Sequence, residues 1–281
     1  MHTRVAAGRA RVVREIRAAG PLTAAVAAPV LARGPWLTAV LNVQAAQRPP
    51  RIRPVAVVVE RDRQDRPDGL ALLVLRRRGL GVAATLLGDG VEPLPGGRPT
   101  ARIPVRDDDA AAALAAGVLD LLASLRRPWT LRLAGLPLGD PTLRALGRLR
   151  PEAAFGNARS WRLVDELDQA GAVRRSRDPR ELERWLPALL TREPDRRARA
   201  FLRAAARLHA ATGELELAVV ADGDRLRAGL LTLVDDADRW PWWGSSDVGG
   251  LRREMGSPVV GLTLAEGLRG AVRISRRSAG R

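Results

Sequence analysis

The sequence predicts an α/β protein built from one unit used twice, and three observations carry that prediction. Short β-rich runs alternate with helical runs along all 281 residues. "VAVVVERD…DGLALLVL" in the first half is echoed by "LELAVVADGDRLRAGLLTLV" in the second, in the same order of strand, acidic turn and strand. In both halves a helical run precedes this hairpin and a third strand follows it. The length suits one large domain or two small ones, with room for a real core.

The elements follow in order. Residues 1–18 read as an Arg-rich helix, and Pro35 opens a second helix, "PWLTAVLNVQ", at a first-turn position where its missing N–H matters little. Arg53 to Arg61 is a β-rich strand, "QDRPDG" a turn, and "LALLVLRR" the next strand. Val82 to Leu87 is a third apolar run, and residues 88–100 are a Gly- and Pro-rich loop. "ARIPV" reads as a strand. Asp107 to Asp109 then start a helix whose dipole favours their charge, with Leu114, Val118, Leu121, Leu122 and Leu125 on one face. "WTLRLAGL" is a strand, Pro141 to Leu149 a short helix, and "SWRLVDEL" a closing strand.

The second half opens at Asp178, an N-cap followed by Pro at the first turn and Glu at the third position. Leu182, Trp185, Leu186 and Leu189 line that helix, with Pro187 as a kink point. "PDRRARAFLRAAARLHAATG" is the next helix, closed by Gly213. Strands "ELELAVVA", "LRAGLLTLV" and "WPWWGSS" follow. Ser257-Pro258 opens a last helix, and "AVRIS" begins another strand.

Composition limits the function classes. There is no Cys, which excludes disulfides and Cys-ligated metals and makes a reducing cytoplasm the simplest home; His2 and His209 are too few for a His-based metal site. The uncharged run Ala18 to Ala32 is too short and too weakly apolar to span a membrane, and it reads as folded chain rather than a signal peptide. The net charge of +16 favours a polyanion partner. All 47 basic residues are Arg, however, as a GC-rich coding sequence produces, and runs such as Arg76 to Arg78 are short and scattered, which describes a solvated Arg surface. No nucleic-acid motif is recognised.

"PWLTAVL" before the first hairpin, "LLGDG" after it, "FLRAAARLHAATGELELAVVADGDRLRAGLLTLV" and "WWGSSDVGGLRREMGSP" resemble the GNAT superfamily of N-acyltransferases over residues 30–275. Two such halves in one chain are similar to the Fem-type aminoacyltransferases and CelD-like acetyltransferases. The resemblance implies two GNAT-like halves, each a mixed, mostly antiparallel sheet flanked by helices. Residues 1–30 would be an N-terminal helical extension, 31–168 the first domain and 169–281 a truncated second one. It implies transfer of an acyl group from acyl-CoA, with acetyl-CoA the simplest donor and no metal, to a small-molecule or peptide amine. Aminoacyl-tRNA is the donor variant; a non-catalytic, degenerate relative is the rival reading.

In such folds a strand, a loop and then a helix N-terminus hold the donor pyrophosphate. Arg76-x-x-Gly79-x-Gly81 has the spacing, but only "VAATLL" follows, too short for a helix, so the stretch reads as a hairpin turn. Arg253-x-x-Gly256-x-Pro258 stands in the expected context. Arg252, Arg253, Gly256 and Ser257 are therefore the candidate donor-phosphate residues, against the plain alternative of a capped helix after a surface loop. Asp247, beside Ser245 and Ser246, is the candidate proton acceptor, or an Asx turn. Trp243 and Ser246 are candidate substrate contacts; Trp240 and Trp242 either wall the cleft or fill the core. His209 reads as structural packing.

Overall fold

The structure, a computed structural model, describes residues 1–46, 52–61, 66–96, 99–236 and 238–267. Eleven strands lie in two sheets among these residues. The first sheet holds β1 (His2–Ala7), β2 (Ile52–Glu60), β3 (Gly69–Arg78), β4 (Gly81–Leu86), β5 (Trp129–Leu136), β6 (Ala154–Asp165) and β11 (Leu251–Glu266), in the order β1-β2-β3-β4-β5-β11-β6. The second holds β7 (Arg174–Ser176), β8 (Leu215–Asp222), β9 (Arg225–Asp235) and β10 (Asp238–Ser246), in the order β10-β9-β8-β7. All pairings are antiparallel except β4 with β5. That parallel pair requires a crossover, supplied by α4 (Asp108–Ser124), whose Leu114, Val118 and Leu122 are buried.

The remaining helices are α1 (Arg9–Ala18), α2 (Gly20–Ala25), α3 (Gly34–Ala45), α5 (Pro141–Leu149), α6 (Pro179–Leu190) and α7 (Arg196–Ala211). Their starts are written locally. Asp107, Asp140, Asp178 and Asp195 each cap a helix by accepting a backbone N–H two or three residues ahead. Pro187 lies inside α6. Arg76 to Gly81 is the β3–β4 hairpin, as its residues predict, with Gly79 at φ +56°.

Four sequence readings change. Residues 1–18 are not one helix: His2–Ala7 pairs with β2, and Gly8 at φ +91° turns the chain into α1. Arg4 explains the strand, bridging the buried carboxylates of Glu15 and Glu60. "ARIPV" makes only a single bridge, Val105 to Gly69, because Pro104 has no N–H to extend a ladder. The closing strand of the first half starts earlier than "SWRLVDEL", at Ala154. Most consequentially, Ser257-Pro258 opens no helix. The segment lies within β11, paired with β6 over Leu251–Thr263 and with β5 over Val260–Glu266. Leu262 and Leu264 enter the core, Pro258 sits at a register shift that tolerates it, and a Cβ on Gly261 would stand 2.9 Å from the Leu133 carbonyl oxygen. "AVRIS" lies outside the described residues.

β11 therefore follows the second sheet in sequence and completes the first one in space. The core reinforces that union. One apolar cluster lies where α1 and α3 meet α6, α7 and the second sheet; Trp36 meets Phe201 edge-on at 5.0 Å and Trp242 at 5.4 Å. Arg33 reaches across to Asp235 with two hydrogen bonds of 2.7 and 2.8 Å. A second cluster lies under α4 and α5. No helix among the described residues is long and apolar enough to cross a membrane.

Candidate functional site

The candidate residues converge at the C-terminal end of β10. The chain there turns through Ser246 to Gly250 before entering β11. Ser246 Oγ accepts the Val248 N–H at 3.1 Å and donates to the Gly249 carbonyl, and the Asp247 N–H donates to the Arg227 carbonyl. Gly249 and Gly250 both take positive φ, +82° and +80°; a Cβ on Gly250 would stand 2.9 Å from the Leu167 Cα, so the loop needs glycine there.

Two residues the sequence did not single out complete the rim. Arg192, just past α6, donates to both carboxylate oxygens of Asp247 at 2.9 and 2.7 Å and also to the Leu226 and Arg227 carbonyls. Glu193 accepts the Trp243 indole N–H at 3.1 Å and the Asp195 N–H at 3.0 Å. "TREPD" carries no motif for this role; it is a tertiary neighbour brought in by the α6–α7 turn. Asp247 is thus held by the Arg192 guanidinium, and the carboxylate of the neighbouring Glu193 meets the Trp243 indole. Of the other tryptophans, Trp242 is core and Trp240 is buried against the seam between the halves. His209 is fully buried, 2.9 Å from Glu214, and its hydrogen bond holds the Glu214 carboxyl below its usual range.

Arg252, Arg253, Gly256 and Ser257 do not gather into a loop. They run along β11, where successive side chains take opposite faces and the backbone is committed to the ladder with β6. Arg252 is tied to Glu166 and Glu254. Ser257 accepts from the Ser160 hydroxyl through its carbonyl, and Arg253 is exposed. The convergent N–H groups of a phosphate cradle are absent from this stretch. They are also spent in the first half, where α4 follows β4 as a phosphate loop would require. The Asp107 side chain caps the Ala110 N–H at 2.8 Å and pairs with Arg61, both of which hold its carboxyl below the usual range. Asp108 and Asp109 add further negative charge. The space beside β4 and β5 is a cavity of about 110 Å³, walled by Trp36, Leu86 and Gly135 and lined also by Leu87, Leu94 and Ile103. A larger cavity of about 550 Å³ lies between the halves, lined by Arg33, Arg102, Asp235, Asp236, Asp238 and Trp240. Among the described residues no acidic or His cluster is arranged to hold a metal ion.

Residues 156–260 match the family model of the acetyltransferase (GNAT) domain, a span that runs from β6 through the second sheet into β11. The GNAT resemblance read from the sequence thus holds for that stretch. Among solved structures, a tandem GNAT protein from the clavulanic acid biosynthesis pathway matches with 12% identity over 96% of this chain and 100% of its own, at a TM-score of 0.42. A conserved protein of unknown function from Bacteroides thetaiotaomicron matches with 9% identity over 82% and 88%, at 0.45. FemX matches with 12% identity over 83% of this chain and 58% of its own, at 0.43. No curated protein matches the chain in sequence. At these scores the structural likenesses carry nothing about substrate or partner.

Proposed function

We propose, for a chain whose residues 156–260 match the GNAT acetyltransferase domain, that it moves an acyl group from an acyl-CoA donor to an amine at the β10 rim. The family match is the observation that carries this reading. The rim adds chemical sense to it. An ammonium acceptor suits a rim that has the Glu193 carboxylate on the Trp243 indole and the Asp247 carboxylate on the following turn. An amine must lose a proton to attack a carbonyl, and Glu193 is the freer of the two carboxylates, since Arg192 clamps both oxygens of Asp247. Asp247 would then act with Arg192 to hold the loop, and Ser246 to shape it. The thioester would supply the acyl group; the chain would supply position and charge. The helix start beside this rim, that of α7, is already capped by Asp195, so a donor's phosphates would depend on arginine side chains, with Arg253 exposed and Arg252 already paired. A reducing cytoplasm suits a chain with no Cys.

A second reading has its own support. The capped, acidic start of α4 and the strand that replaces a helix after β10 are what an acyltransferase relative without a donor site would carry. Thermal unfolding with excess acetyl-CoA and longer acyl-CoAs separates the two. A ligand at a hundred times its dissociation constant adds about 2.7 kcal/mol, which at this size raises the midpoint by roughly 4–5 °C. A rise that disappears in Arg253→Glu, with thiol release on adding an amine, supports acyl transfer. No rise with any acyl-CoA ends the CoA reading and leaves the binding role, or the aminoacyl-tRNA variant, in its place.

A further inference from the structure

β6 and β11 form the rim of the first sheet, and the two faces of that rim differ. Register partners share a face. On one face Arg162 pairs with Glu254, and Arg252 with both Glu254 and Glu166, so the guanidinium charges are matched by carboxylates. On the other face Trp161 stands opposite Met255, Arg159 opposite Pro258 and Arg253 opposite Leu163. At one end of this face Asp165 pairs with Arg175 and Leu163 and Leu251 pack against the second sheet, but the residues beyond them are unmatched. Trp161 is 62% exposed and Met255 57%, while Arg159 and Arg253 are exposed and make no ion pair among the described residues. α5 covers this face farther along, where Phe155 meets Gly147, but not at Trp161.

We propose that this face binds single-stranded nucleic acid, with a base stacked on Trp161 and Met255 and the backbone phosphates held by Arg159 and Arg253. Those arginines lie about 13 Å apart along the strand, one on each side of the indole. An exposed indole on a flat sheet can stack only on a base whose face is open, which excludes a paired one. At Trp161 and Met255 the strands form a two-stranded ribbon, since β5 joins β11 only from Val260, so duplex is the competing ligand that the titration includes. Arginine suits phosphate through its planar fork, and the chain's net charge of +16 favours a polyanion at a face whose nearest carboxylate in register, Asp165, is already paired with Arg175. The proposal does not depend on acyl transfer. Both use Arg253, so the test leads with Trp161 and Arg159.

Fluorescein-labelled twelve-residue oligo-dT and oligo-rU, the corresponding duplex and polyglutamate would be titrated with the full chain by anisotropy at several salt concentrations. Single strands are expected to bind more tightly than duplex or polyglutamate. Trp161→Ala should weaken them at least fivefold, as the loss of one stacked base requires, while Trp161→Phe keeps most of the affinity. Arg159→Ser with Arg253→Ser should lower the salt slope by about 1.4, two single-strand phosphate contacts. All four residues are exposed, and unchanged melting would show the variants folded. Equal affinity for duplex, preference for polyglutamate, indifference to Trp161→Ala or no binding in low salt would each overturn the proposal.

Discussion

Replacing Gly261 by Ala tests the placement of β11 through the sign of a single number. In a helix opened by Ser257-Pro258, Gly261 would lie in the interior, and Ala there is worth about 1 kcal/mol over Gly. In the strand, the new Cβ meets the Leu133 carbonyl oxygen at 2.9 Å, a backbone atom held in the β5–β11 ladder that cannot swing aside. Overpacking of that kind costs about 1–3 kcal/mol. For 281 residues the melting entropy is roughly 0.6 kcal/mol/K, so 1 kcal/mol moves the midpoint by about 1.7 °C. The strand thus predicts a fall of about 2–5 °C and the helix a rise of about 2 °C. Calorimetry or circular dichroism resolves that difference. Leu262→Ala is the companion: its side chain is 1% exposed, and truncation should cost about 2–5 kcal/mol. A midpoint that rises in Gly261→Ala, or stays put in Leu262→Ala, refutes the pairing and with it the account of the rim.

Two further outcomes are expected. Asp140 is buried at the start of α5, capping the Thr142 and Leu143 N–H groups, and burial pushes its carboxyl above the usual range. A raised folded pKa means that the ionised form is disfavoured in the folded state. Its stabilisation is complete below the unfolded pKa and is lost as pH climbs through the folded one. Asp140→Asn keeps an oxygen for the cap without the charge. It should equal or exceed the parent in urea midpoint at pH 7 and lose that advantage near pH 4; a variant weaker at both by the same margin would contradict this. Arg192→Ala removes the clamp on Asp247 and two carbonyl bonds. With Asp247 half exposed, the loss should be only about 1–2 kcal/mol, but hydrogen exchange over 246–250 should quicken markedly. Unchanged exchange there would show that the clamp does not hold the loop.

Where local chemistry decides, the sequence was legible. Asp-Pro starts, the span of α5, the β3–β4 turn and the β8–β9 hairpin are each set by residues within a few positions of one another. β1 was not, because its reason is Arg4 meeting Glu15 and Glu60, the latter far along the chain. β11 was not, because "VVGLTL" serves a buried strand as well as a helix once a Ser-Pro pair stands before it; the gap between β5 and β6 decides, and no local signal describes a gap. Ser246, Asp247 and Trp243 do share one rim, since β10 and its turn are continuous. Arg192 and Glu193 reach it only through the packing of α6, and the predicted phosphate residues scatter because a strand alternates where a loop would converge.

The position of β11 bears on how the chain comes to fold. The strand that fills the place between β5 and β6 in the first sheet is the last made of the strands among the described residues. Arg132 waits for Thr263, and Phe155 for Leu262, while the whole second sheet is synthesised. Until then β5 and β6 face each other across an open slot, each with a free edge, and the first half can collapse but not close. Contacts so distant in sequence slow the search for the native state. The slot is also a vulnerable stage on the ribosome, where another nascent strand of similar composition can enter in place of β11. Cutting the chain between the sheets would therefore yield two fragments that lack a shared part, not two working domains.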